Sequence, residues 1–226
     1  MFTKRTMNPT LKAFQTFLSN EASKGNVDAR YEHNLSCYTA KDSWDRPNRH
    51  NFTQEEIMER FSRSHGGSCG ATKRVHVLEY IAIARYKRYG HEFIGEGSGN
   101  QLVDQIGCYL KFEGTTDIDL INPILKYFTC KSDKVEALDE KMKDKIIIIS
   151  QKAVFVGDLR DACREAERRN KVEGYRGESY ESRKAKLLDL SHRMHWRDVE
   201  WNGGNSGVIF DHSKNCYKAV FIDYAL

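Results

Sequence analysis

The chain has 226 residues, with 36 lysines and arginines against 32 aspartates and glutamates, a net charge of +4, 39% hydrophobic residues and 30% charged ones. Those figures fit one soluble domain or two small ones and exclude a fully disordered, collagen-like or membrane-spanning polypeptide. No unbroken apolar run approaches the roughly 20 residues that a spanning helix needs.

The N-terminal residues 1–6 are basic, but polar residues come next with no apolar signal-peptide core, so the expected location is the cytoplasm. Leu11, Phe14, Phe17 and Leu18 form a helical stripe behind Pro9, which predicts a first helix. Residues 25–51 are polar and aromatic and read as a long loop with one short strand at 34–39. Thr53 and Glu56 make a capping box ahead of Ile57, Met58 and Phe61, the start of a second helix. After the glycine-bearing segment 62–70, a third helix is predicted over 71–89, stopped by Gly90.

Strands are predicted at 91–94 and 107–112, with 101–106 open to a helical turn, then helices at 118–127 and 135–143. The isoleucines at 146–149 have the β-branched density of a buried strand. Charged helices are expected at 158–170 and 179–196, with Trp196 and Trp201 anchoring the terminal hairpin to the core. That hairpin is formed by residues 207–210 and 217–222, which flank a polar turn. The expected class is α+β. A helix-rich region, 1–130, contains a helix-turn-helix-like unit at 53–90, and an α+β region, 131–226, contains a C-terminal hairpin at 206–222.

The six cysteines and eight histidines show no CxxC, HExxH or zinc-finger spacing, so no metal or cofactor is expected. The glycines at 95–99 lack the Lys-Ser or Lys-Thr of a phosphate loop and read as a turn. Charge is concentrated elsewhere. Residues 71–91 hold five lysines and arginines against one glutamate, a local charge equal to that of the whole protein. In a helix-turn-helix the second helix enters the major groove, which makes Thr72, Lys73, Arg74 and His76 candidates for base or phosphate contact. Arg85, Lys87 and Arg88, interleaved with Tyr86 and Tyr89, suit phosphates and exposed bases.

The hairpin carries one resemblance. Ser206, Gly207, Val208, Phe210, Asp211, Asn215, Tyr217, Ala219 and Phe221 resemble the first two strands of the APETALA-type DNA-binding domain often appended to phage HNH homing endonucleases. The resemblance spans roughly 17 of 226 residues. It implies a sheet laid in the major groove, with His212, Lys214, Tyr217 and Lys218 as further contacts. His50 with Asn48 and Asn51 lacks the flanking strand pair of an HNH centre, so no nuclease is expected.

The resulting expectation is a non-catalytic DNA-binding regulator derived from a phage or mobile-element endonuclease. Its partner is double-stranded DNA, a homodimer is left open, and no membrane is involved. Two alternatives belong to other classes. A cysteine-dependent hydrolase or transferase would place Cys69 at a helix N-terminus, where the dipole favours the thiolate, with His91 or His212 as base. A protein-binding inhibitor or assembly factor would use the two charged helices as its surface.

Overall fold

The computed structural model describes residues 9–37, 73–86, 88–89, 92–93, 101–128, 147–196 and 205–224. Two helices come first, α1 at Pro9–Ser23 and α2 at Val27–Cys37. Strands β1 (Lys73–Val77) and β2 (Ile81–Tyr86) form a tight hairpin, followed by the short pair β3 (Arg88–Tyr89) and β4 (Glu92–Phe93). Helix α3 (Gln101–Phe112) leads through a 3-10 turn at Thr116–Leu120 to β5 (Ile124–Phe128) and β6 (Ile147–Gln151). Helices α4 (Leu159–Glu173) and α5 (Tyr180–Arg193) precede the closing hairpin of β7 (Ser206–Asp211) and β8 (Cys216–Phe221). The α+β class is as expected. Among the described residues no helix is long and apolar enough to cross a membrane.

The central sheet is antiparallel, in the order β1-β2-β6-β5, and draws its strands from both sides of residue 130. Both of its faces are covered, which explains the run of isoleucines in β6. Ile147 and Ile149 pack with Ile81, Ile83, Phe14, Leu18 and Leu35 on the face that holds α1 and α2. Ile148, of opposite phase, joins the larger core built by α3, α4, α5 and the closing hairpin. Burying each such side chain contributes roughly 1.5–3 kcal/mol. The hairpin is tied to this core by a parallel bridge between Ile121 and Phe221 and an antiparallel one between Val154 and Val208. Trp196 meets Phe221 edge-on at 5.3 Å, as expected of an anchor, whereas Trp201 lies outside the described residues.

The structure corrects several expectations. The predicted third helix is the hairpin β1–β2: Val75, Val77, Ile81 and Ile83 recur at period two, and tertiary burial of Ile81 and Ile83 selects the strand. No helix-turn-helix second helix exists there, and its predicted first helix lies outside the described residues. The predicted loop from residue 25 contains α2, whose start is capped by Asn26 Oδ1 accepting from the Ala29 amide at 3.0 Å. Residues 107–112 are helical because Leu102, Ile106, Tyr109 and Phe112 stack along one buried stripe of α3. Residues 118–127 divide between the 3-10 turn and β5, parted at Pro123. The predicted helix at 135–143 lies outside the described residues.

Glu32 locks α2 to the β1–β2 turn. Only 2% exposed, its carboxylate accepts from the Glu79 amide at 2.9 Å and the Tyr80 amide at 2.7 Å. Burial pushes the carboxyl from 4.5 up to about 7, despite those donors. With a raised folded-state pKa, the site's contribution to stability is complete below pH 4.5 and is lost as the pH rises through about 7. Glu32→Gln cannot ionise, so the loss in urea midpoint from about pH 5 to about pH 8 is expected to be smaller in the variant than in the wild type.

Candidate aromatic binding cleft

Six aromatic side chains from α1, the β1–β2 turn, the segment after α4 and the closing hairpin meet in one continuous run. Tyr80 stands edge-on to Phe17 at 5.5 Å, and Phe17 stacks on His212 at 4.2 Å with only 24° between the rings. His212 meets Phe210 at 4.9 Å, and Phe210 meets Tyr217 at 5.0 Å and Tyr175 at 5.3 Å. They line a cleft of about 380 Å³. The Phe17 and His212 pair also borders a shallow groove of about 520 Å³ beside Lys12, Thr16 and Asn20 of α1. A concave apolar surface with a few converging polar groups is the ordinary form of a ligand site.

Local sequence explains how each ring is held. Phe210 and Tyr217 are cross-strand partners in the β7–β8 register, so they share one face of the hairpin. The turn between them is built on Asp211, whose Oδ1 accepts from the Ser213 amide at 2.9 Å and the Ser213 hydroxyl at 2.6 Å. Asn215 closes it in the left-handed region at φ 51°. Gly174, at φ 74°, ends α4 and turns the chain so that Tyr175 folds back over the hairpin. Burial lowers the His212 pKa, only partly opposed by the Asp211 carboxylate, so the imidazole acts here as a neutral ring.

The rim is polar. Lys152 Nζ donates to the Glu79 carbonyl at 3.1 Å. The Arg169 guanidinium lies 5.4 Å from the Tyr217 ring centre and donates through Nε to Glu165. The Tyr217 hydroxyl donates to Glu173 at 3.2 Å, and burial together with that carboxylate raises its pKa, so it keeps its proton. Gln151, 3% exposed, lies at the base of the cleft.

Asn170 positions Tyr217. Its Oδ1 accepts from the Tyr217 amide at 2.7 Å and its Nδ2 donates to the Tyr217 carbonyl at 2.8 Å, so the side chain pairs with β8 as a neighbouring strand would. A Cβ at Gly177 would stand 1.9 Å from that Nδ2. Gly177→Ala is therefore expected to dislodge the clamp and lower stability by about 1–3 kcal/mol, with backbone amide exchange at Tyr217 accelerated; a thermal denaturation and exchange experiment checks both.

On the other side of the hairpin lies a buried charge cluster. Lys218 Nζ sits 2.9 Å from Asp119 and 2.8 Å from Asp211. Arg183 binds the Asp119 carboxylate and its carbonyl, and also the Ala219 carbonyl, through three nitrogens at 2.7 to 2.8 Å. Lys214 adds a bond to Asp119 at 2.7 Å. Burial alone would raise both carboxyls; the surrounding cations outweigh it, holding Asp119 well below the usual range and lowering Asp211 as well. The cluster sets three cations against two carboxylates and braces the hairpin against α5 and the 3-10 turn.

The residues singled out in sequence therefore separate. His212 and Tyr217 enter the cleft, while Lys214 and Lys218 are engaged by carboxylates. Lys73, Arg74 and His76 stand on the edge strand β1, and Arg85 and Arg88 on β2 and β3. Thr72, Lys87, Cys69 and His91 lie outside the described residues. Cys108, Cys163 and Cys216 are buried and their thiol pKa values are pushed up, to about 11 and about 12 for the first two. Sequence reasoning missed Phe17, Tyr80, Tyr175, Gln151, Lys152 and Arg169 as parts of one site. Their positions are scattered along the chain and share no spacing. No protein-family model, curated protein or solved structure matches the chain.

Proposed function

We propose that this protein binds polynucleotides by taking unstacked bases into the aromatic cleft, and that it does so as a binding module with no catalytic step. The observation that carries the reading is the continuous run of rings from Tyr80 to Tyr217, with Phe17 and His212 stacked at 4.2 Å. Bases stack on such rings irrespective of sequence, at roughly 1–3 kcal/mol each. Lys12, Lys152 and Arg169 stand around the cleft and its adjoining groove, where phosphates between bound bases would pass.

The β1–β2 hairpin supports the same reading. Its turn supplies Tyr80, and its register pairs position 74 with position 85, both arginine. Recognition then proceeds through stacking and charge, and the regulator expected from sequence would act by occupying exposed strands.

Short fluorescent single strands and duplexes of the same sequence, titrated at several salt concentrations, test this. Single strands are expected to bind more tightly than duplex, with log affinity falling linearly in log salt. Equal affinity for both, or no salt dependence, contradicts the proposal.

A further inference from the structure

At the base of the cleft, the Gln151 side chain is 3% exposed, yet its Oε1 has no hydrogen-bond partner. Its Nε2 donates to the Phe210 carbonyl at 2.7 Å, which continues by side chain the edge ladder that Val154 makes with Val208. That bond fixes the amide: one N–H of the nitrogen is engaged, and the oxygen is left over. The main chain of Gln151 is held as well, its carbonyl accepting from Asn122 Nδ2 at 2.8 Å. A buried acceptor without a donor is costly, and a ligand that brings an N–H to it recovers that cost.

Resting on the base-stacking reading above, we infer that the cleft selects bases that carry an exocyclic amine, with Gln151 Oε1 accepting from that amine. Adenine offers its 6-amino group and cytosine its 4-amino group; guanine offers a donor pair. Thymine and uracil present carbonyl oxygens on both sides of their single ring N–H. Those carbonyls are themselves acceptors and bring no donor to Gln151 Oε1; Nε2 keeps its second N–H beside the one bound to Phe210. The oxygen is shut from solvent, so the incoming base parts the Phe210 and Tyr217 rings as it stacks between them. Gln151 is thus a specificity residue and the rings supply the bulk of affinity.

The test changes the ligand first. Oligodeoxyadenylate is compared with an oligonucleotide of the same length carrying unsubstituted purine, which lacks only the amine. The wild-type protein is expected to bind the adenine strand about fivefold to tenfold more tightly, and Gln151→Leu to bind both alike. If Gln151→Leu fails to fold, the comparison on wild-type protein decides alone. Equal wild-type affinity for the two strands overturns the amine selection. If that equality is accompanied by loss of both on Tyr217→Leu, base stacking in the cleft stands without it. If neither strand binds, both proposals fall.

Discussion

Lys218→Met is expected to lower folding stability by about 3–5 kcal/mol, a large part of the roughly 5–15 kcal/mol that holds a domain of this kind together. Methionine keeps most of the volume, so the loss is electrostatic rather than a cavity. The Lys218 side chain is 6% exposed, and its ammonium group lies within 2.9 Å of both Asp119 and Asp211, the latter wholly buried. Without it Asp119 keeps Arg183 and Lys214, whereas Asp211 keeps only uncharged donors, from Ser213, from the Lys214 amide and from Thr10. Burial then dominates at Asp211 and its pKa rises.

The pH dependence is set by the sign of the shifts. In the wild type both carboxyls are depressed, so their contribution is present above the ordinary 3.8 and is lost as the pH falls through their folded values. The deficit of the variant is therefore largest near neutrality and shrinks in acid, where the carboxyls take up protons in both proteins. Denaturant titrations at neutral and acidic pH measure it. A deficit under about 1 kcal/mol, unchanged by pH, would show the cluster to be incidental.

Tyr217→Leu is expected to weaken single-strand binding about tenfold or more, while Lys214→Ala changes it by less than about twofold. The contrast is sharp because the two residues are three apart in sequence and both lie in the hairpin. Tyr217 faces Phe210, Tyr175 and the Arg169 guanidinium. Leucine keeps apolar bulk but offers no ring to a base, and the Asn170 clamp survives because it grips main-chain atoms only. Lys214 is more than half exposed, yet its charge is directed to Asp119 at 2.7 Å. Anisotropy titrations at one salt concentration separate these outcomes. Comparable losses from both substitutions would make the hairpin a general electrostatic contact rather than a stacking platform.

Much of the fold was legible from local pattern. The Phe14 and Leu18 stripe marked α1, the isoleucine run marked β6, and the alternation around a polar turn marked the closing hairpin. Caps at Asp158 and Ser179 bound the two charged helices within a few residues of where they were expected. Residues 71–89 contain apolar side chains that suit period 3.6 as well as period 2, and only the two-sided burial supplied by α1, α2 and α3 decides between them. The α2 segment failed because its helix rests on one asparagine cap and on Glu32, a buried carboxylate that polar composition disguises as loop.

The site was legible only in part. His212 and Tyr217 were singled out through the resemblance of their hairpin to a DNA-binding sheet. Phe17 read as core, and Tyr80, Gln151 and Tyr175 carry no marker, since what unites them is sheet order and the turn at Gly174. Lys218 was read as a DNA contact because nothing in the sequence pairs position 218 with Asp119, 99 residues away.

Ultraviolet cross-linking of a short adenine- and cytosine-containing strand, with mass spectrometry of the modified peptides, puts the base-binding cleft to the most direct test. Attachment at Phe17, Tyr175, Phe210 or Tyr217, competed away by unlabelled strand and lost at high salt, is the expected result. Attachment confined to other surfaces, or none at strand concentrations that saturate binding, would contradict it.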